Sequence, residues 1–396
     1  MSISKPTFPL DEVTDAQLQA LCHTLWDWTL CAGCSVAQPC VREECPQRRS
    51  PRLEPFFQYY KEVTASYVPE LLLPDTTQAI RSHEDLFDII CLLKEKPTIQ
   101  RAQLTKEYFS SRVEENEPPL SDQHRAFNLA MRAMAMVNCC IENQAGGLLE
   151  SGEEPSVWRS DKSLLEFISS TFPMRDHPSL NEKDESAPDI KAGLTATKLK
   201  KVAGLKFKGT NDLRNHLKLD QKAGIVEIYH HTSVLKEHLM ASKARSREPG
   251  SADPVLRENL PRQLALETLD SLQKVLFPLE PESQALLRSL VSKQSFDPDC
   301  LRFGSALFRH YHENDITYQY WGSRLMDLYE EIENPKPRGL LETWLEQRSK
   351  ARHVMLATLV GVIIAIILGV FGLLVGIFQA WVSYHAWKYP VNSRKG

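Results

Sequence analysis

Apolar positions along much of the chain recur at helical spacing. Leu86, Ile89, Ile90 and Leu93 follow i, i+3, i+4, i+7, the stripe of an amphipathic helix turned toward a core. After the polar start Ser121 and Asp122, a second buried face carries Phe127, Met131, Met134, Met136 and Val137; its methionines read as core rather than as a cofactor box. Pro74, Pro97, Pro118, Pro119 and Pro155 punctuate these stretches, so residues 51–173 read as a compact helical domain. Leu264, Leu266, Leu269, Leu272 and Leu276 predict a further helix ended by Pro278, and another is expected over 282–294. Phe303, Phe308, Tyr311, Tyr318, Tyr320 and Trp321 crowd the next stretch, more simply as core or a helix interface than as a ligand cage.

The period changes once. The turn DQKAG leads into alternating Ile225, Val226, Glu227, Ile228 and Tyr229, which predicts a small β-hairpin at about 215–231. With the helical LTATKLKKVAGL and a short helix DLRNHL ahead of it, residues 191–242 form a basic helix-hairpin unit of the winged-helix kind. Polar stretches at 174–190 and 243–261 read as linkers, and 262–350 as a helical region and stem. The fold class expected is mainly α: a multi-helix soluble region with one small hairpin and a single C-terminal transmembrane helix.

That last helix is the strongest signal. From Val354 to Phe378 no residue is ionisable, and 25 residues at about 1.5 Å each span roughly 37 Å, enough for a hydrocarbon core of about 30 Å. Arg348, Lys350 and Arg352 precede it, and Trp381, Tyr384, Trp387 and Tyr389 follow it at the headgroup level; the transmembrane helix is placed at 354–384 and a short tail at 385–396. The N-terminus lacks the basic and apolar regions of a signal peptide. The expectation is therefore a tail-anchored, single-pass protein with its N-terminal region in the cytosol, the organelle being open. Five bases before the span against three after it, and no Asn in an N-x-Ser/Thr sequon, agree. Within the span Gly361, Ala365, Gly369, Gly372 and Gly376 recur at steps of three and four, a small-residue stripe that lets a second copy or another membrane helix pack closely.

Cysteines cluster at the other end, in a Cys-rich segment at 1–50. Cys31, Cys34, Cys40 and Cys45 give C-x2-C-x5-C-x4-C, and four thiolates in a short loop can bind zinc tetrahedrally. Structural thiols without metal, lipid attachment and, on an external N-terminus, disulfides are the other readings. Cys22 falls on an apolar helix face beside Leu25.

Composition adds less. The formal charge of -4 across 396 residues gives no global field for nucleic acid, so that partner is not expected and any basic surface is local. One such patch contains Lys198, Lys200, Lys201, Lys206 and Lys208; it reads either as a face for anionic headgroups or as a solvated surface. His216, His230, His231 and His238 lack metal-ligand spacing and read as surface or core histidines. Gly204 to Gly209 has phosphate-loop spacing, but Thr210 and Asn211 replace the lysine and hydroxyl such a loop needs; no other enzyme signature appears, and no catalytic residue is named.

The run TWLEQRSKARHVMLATLVGVIIAIILGVFGLLVGIFQAWVSYHAW, with DLRNHLKLDQKAGIVEIYHHTSVLKEHL, FDPDCLRF and SRLMDLYEEIENPKPRGLLETWLE, resembles a family of uncharacterised single-pass membrane proteins of filamentous fungi over most of the chain. The resemblance implies a helical soluble region on a C-terminal anchor and no particular activity. The function expected is a non-catalytic interaction or scaffold protein, against a receptor-like ectodomain of opposite topology or a membrane-bound enzyme of unrecognised class.

Overall fold

A computed structural model describes residues 9–29, 31, 34, 40, 45–68, 77–112, 117–140, 156–175, 180, 187–245, 259–304, 307–311, 313, 316–335 and 340–388. Most of the segments expected as linkers (176–179, 181–186 and 246–258) and the end of the tail lie outside them, as do the side chains of 340–359. The chain divides into two compact units, Met1–Pro335 and Lys336–Gly396.

The first unit is built of helices. They are α1 (Asp15–Trp26), α2 (Pro46–Arg49), α3 (Glu54–Ala65), α4 (His83–Glu95), α5 (Arg101–Ser110), α6 (Leu120–Ala135), α7 (Leu164–Thr171), α8 (Ala187–Gly193), α9 (Ala196–Lys201), α10 (Thr232–Arg245), α11 (Arg262–Asp270), α12 (Pro281–Lys293) and α13 (Gly322–Glu333). Local sequence sets several starts: Thr14 and Gln17 at α1, and Ser163 and Glu166 at α7, exchange side-chain and backbone hydrogen bonds in capping boxes. The stripes read from sequence form the core. Leu86, Ile89, Ile90, Leu93, Phe127, Met131, Met134, Met136 and Val137 are all buried, and Cys22 lies buried beside Leu25. Phe308, Tyr318 and Trp321 are buried as well, whereas Tyr311 is 96% exposed.

The expected hairpin is present as β4 (Lys218–Asp220) and β5 (Ile225–Tyr229), paired antiparallel. The sheet is larger than the hairpin. A third strand, β3 (Lys206–Thr210), pairs with β5 in parallel, with Phe207 opposite Val226 and Gly209 opposite Ile228. Phe207, Val226 and Ile228 turn inward, while Lys206, Lys208 and Lys218 stay exposed, the alternation a half-buried sheet requires. A two-residue parallel pair, β1 (Cys139–Cys140) and β2 (Ser156–Val157), is the other sheet described.

The second unit is one helix, α14 (Leu340–Lys388), 49 residues and so about 73 Å long. Val360–Lys388, 29 residues whose most apolar 18-residue window has a mean hydropathy of 3.0, is long and apolar enough to cross a membrane, and none of that window is buried. Leu368 and Phe371 are 65% and 63% exposed, values a core helix does not show.

Candidate metal centre

The four cysteines singled out by spacing converge. Cys31, Cys34, Cys40 and Cys45 place all four Sγ atoms within 4.8 Å of one another. Cys31 and Cys45 are 3.6 Å apart and Cys45 and Cys34 3.8 Å. Those separations are far from the roughly 2.05 Å of a disulfide. They match the edge of about 3.8 Å that a tetrahedron has when each metal–sulfur bond is about 2.3 Å. Two tight turns shape the loop: Cys34 N donates to Cys31 O, and Arg48 N donates to Cys45 O where Pro46 opens α2. Burial works to raise the Cys45 thiol, but the backbone N–H groups of Gln47 and Arg48 and the Cys31 and Cys34 thiols bring it down to about 7. Cys34 is pushed up to about 12, first by its hydrogen bond to Cys40, and Cys31 is raised chiefly by Cys45. A cluster in which one thiolate forms and its neighbours resist is one that a divalent cation completes, since the ion neutralises the charge the sulfurs cannot share. The four cysteines can therefore hold a metal ion.

Both chain ends of this loop are gripped by one buried carboxylate. Glu237 on α10 receives Arg49 Nε at 2.8 Å and Nη2 at 3.0 Å, and Trp28 Nε1 at 2.9 Å. The guanidinium also lies 5.4 Å from the centre of the Trp28 ring. Trp28 precedes Cys31 by three positions and Arg49 follows Cys45 by four, so the clamp closes the base of the cysteine loop. Burial raises the Glu237 carboxyl against the lowering pull of Arg49. Sequence reasoning missed this clamp, because 188 residues separate Arg49 from Glu237.

A second feature was also hidden. A groove of about 1010 Å³ opens beyond the carboxyl ends of the parallel strands β3 and β5, walled by α3 on one side and the segment after α12 on the other. His230 forms its floor, stacked between His231 at 4.4 Å and Phe296 at 5.1 Å. His216 and His238 lie elsewhere in the core, and all four imidazoles are buried. Behind the residues that line it, Ser233 Oγ donates to Asp297 at 2.7 Å and Cys300 Sγ to the His230 carbonyl; both are buried, and neither nucleophile is bonded to an imidazole nitrogen. Asp297, lifted to about 6 by burial, also caps Ser233 N at the start of α10.

The remaining predicted residues stay on surfaces. Lys198, Lys200, Lys201, Lys206 and Lys208 are exposed; Lys201 meets Glu282 at 2.6 Å and Lys208 lies 3.9 Å from Glu227, pairs that solvent screens. Gly361, Ala365, Gly369, Gly372 and Gly376 fall within about 80° of one another around α14 at roughly 100° per residue. A Cβ added at any of these four glycines meets nothing within 4 Å. Comparison with models of protein families, with curated proteins and with solved structures finds no match to this chain.

Proposed function

We propose that the protein is a single-pass, membrane-anchored interaction protein whose helical unit faces the cytosol and is braced by a zinc ion in the Cys31, Cys34, Cys40 and Cys45 cluster. The observation that carries this reading is the apolar, unburied Val360–Lys388 segment, which has no protein core to enter and matches a bilayer in length. A cytosolic side is supported by the nine free cysteines, four of them clustered, the chemistry of a reducing compartment. Zinc is supported by four sulfur donors at tetrahedral separation.

Topology is tested with glycosylation acceptors inserted at residue 250 or appended after Gly396 and translated with microsomes. Modification of the C-terminal acceptor alone is expected. Modification of the internal acceptor overturns the cytosolic placement, and a chain that alkaline carbonate extracts is not an integral membrane protein.

The small-residue stripe supports pairing of the span with itself or with another membrane helix. Because an added Cβ there meets no atom of this chain, bulk on the stripe blocks an approaching helix rather than the fold. Replacing Gly369, Gly372 and Gly376 together with Ile is expected to weaken association in a membrane reporter by about tenfold, or roughly 1.4 kcal/mol. Unchanged association removes the pairing.

A further inference from the structure

The groove beside β3 and β5 carries two hydrogen-bonding groups that the protein leaves unused. His230 Nδ1 accepts the backbone N–H of Asp297 at 3.0 Å, so its proton sits on Nε2, for which no described residue supplies an acceptor. His231 Nε2 lies 2.8 Å from Asn211 Oδ1 and carries the proton in that bond. Its Nδ1 is then an acceptor, buried and without a partner, on a residue only 2% exposed. A buried acceptor left alone is destabilising, so the arrangement is relieved when something brings a donor. Burial holds both rings neutral, His230 at about 4 and His231 well below the usual histidine range. One donor and one acceptor, adjacent and uncharged, are thus held on a rigid aromatic floor.

The fold builds this pair deliberately in structural terms. Parallel β3 and β5 deliver Asn211 and the two histidines from their carboxyl ends, the position where sheets of this hand place ligand crevices. Gly209 makes the stack possible: a Cβ there would come within 2.8 Å of His230 Cδ2 and 3.0 Å of Phe296. The rim is mixed in charge, with Arg52 and Arg302 against Glu54 and Glu62, and so does not favour a polyanion. Its volume of about 1010 Å³ sits at the upper end of small-molecule sites and suits an open trench.

We propose that this groove binds an extended peptide segment of a partner, one of whose residues donates its backbone N–H to His231 Nδ1 and accepts at its own carbonyl from His230 Nε2. An extended residue presents its N–H and C=O on the same side of the chain, a neutral donor beside a neutral acceptor, and the His230–Phe296 stack gives a neighbouring side chain an aromatic surface. The inference rests on the interaction-protein reading above and names where the partner is held.

The test uses the full chain in detergent with 15N-labelled histidine, titrated with a degenerate pool of capped heptapeptides. Shifts of the His230 and His231 ring nitrogens are expected, with those of His216 and His238 unmoved. His231→Phe keeps the stacked ring and loses the acceptor; it is expected to weaken peptide binding about tenfold. Gln294→Trp, on an exposed groove wall, is expected to block binding while leaving the unfolding midpoint in place. Silent rings overturn the proposal, as does equal binding by wild type and both variants. Shifts produced by inorganic phosphate or AMP but not by peptide overturn it in favour of an anion site. Membrane insertion is scored separately in microsomes, so a silent groove in a chain that inserts sinks this inference alone.

Discussion

Chelating the metal from the purified full chain is expected to release about one zinc per molecule and to lower the unfolding midpoint by roughly 6 °C. Zinc present at about a thousand times its Kd contributes about 4.1 kcal/mol, and at about 2.1 cal/mol/K per residue the unit Met1–Pro335 loses about 1.4 °C per kcal/mol. The change is felt first at the clamp, because Trp28 and Arg49 are held in register with Glu237 by the loop that joins them. Trp28 fluorescence therefore reports it, and Cys45→Ser reproduces it without chelator. Arg49→Ala supplies the comparison: the four sulfurs remain, but Glu237 keeps a buried carboxylate without its cation, at a cost of about 3–5 kcal/mol. Protein without stoichiometric zinc, or a Cys45→Ser variant that melts with the wild type, sinks the metal reading.

Mild acid is expected to unfold the soluble unit, with a midpoint near pH 5 by near-ultraviolet circular dichroism. Burial, aided by Arg324, holds His216 at about 3; burial, with Arg245 and Lys94, does the same for His238. His230 and His124 sit at about 4. Each folded value lies below the unfolded value of about 6.5, so the unfolded chain binds more protons. Their contribution is complete above pH 6.5 and is lost as pH falls toward 4, at about 1.4 kcal/mol per group per pH unit. Asp297 works the other way: raised to about 6, it takes up a proton in the folded state and offsets about one histidine. His83 and His231 are depressed as well, so six histidines stand against four carboxyls that burial raises, Asp297, Glu237, Glu267 and Asp88, and decide the sign. Removing one of the depressed groups with His238→Gln moves the midpoint to lower pH, and a wild-type transition near pH 3 contradicts the account.

Much of this fold was legible where a pattern is local. The i, i+3, i+4, i+7 stripe of α4 and the Phe127, Met131 and Met134 face of α6 bury as read, because helical spacing sets which side chains share a face; Met136 and Val137 are buried too, but beyond the end of α6. The cysteine spacing fits inside one short loop, so counting along the chain found four thiols that the fold brings together. What was missed depends on distant partners. Lys206 to Thr210 contains one large apolar residue, Phe207, too little to show a period of two; it becomes a strand because β5 offers a register. His230 and His231 read as bland core until Gly209, Asn211 and Phe296, from separate parts of the chain, assemble around them.

The clamp also sets a clock on biosynthesis. Trp26 bonds to His238 across 212 positions and Trp28 to Glu237 across 209, so α1 has no permanent partner on α10 when it leaves the ribosome. At about 5–20 residues per second, Trp26 and Trp28 wait roughly 10–40 s for that helix to be made. The metal loop closes over 14 positions and can form within that interval. Zinc bound early would hold Trp28 and Arg49 near each other in advance, and zinc starvation during translation, rather than afterwards, should then be the condition that drives the new chain to aggregate.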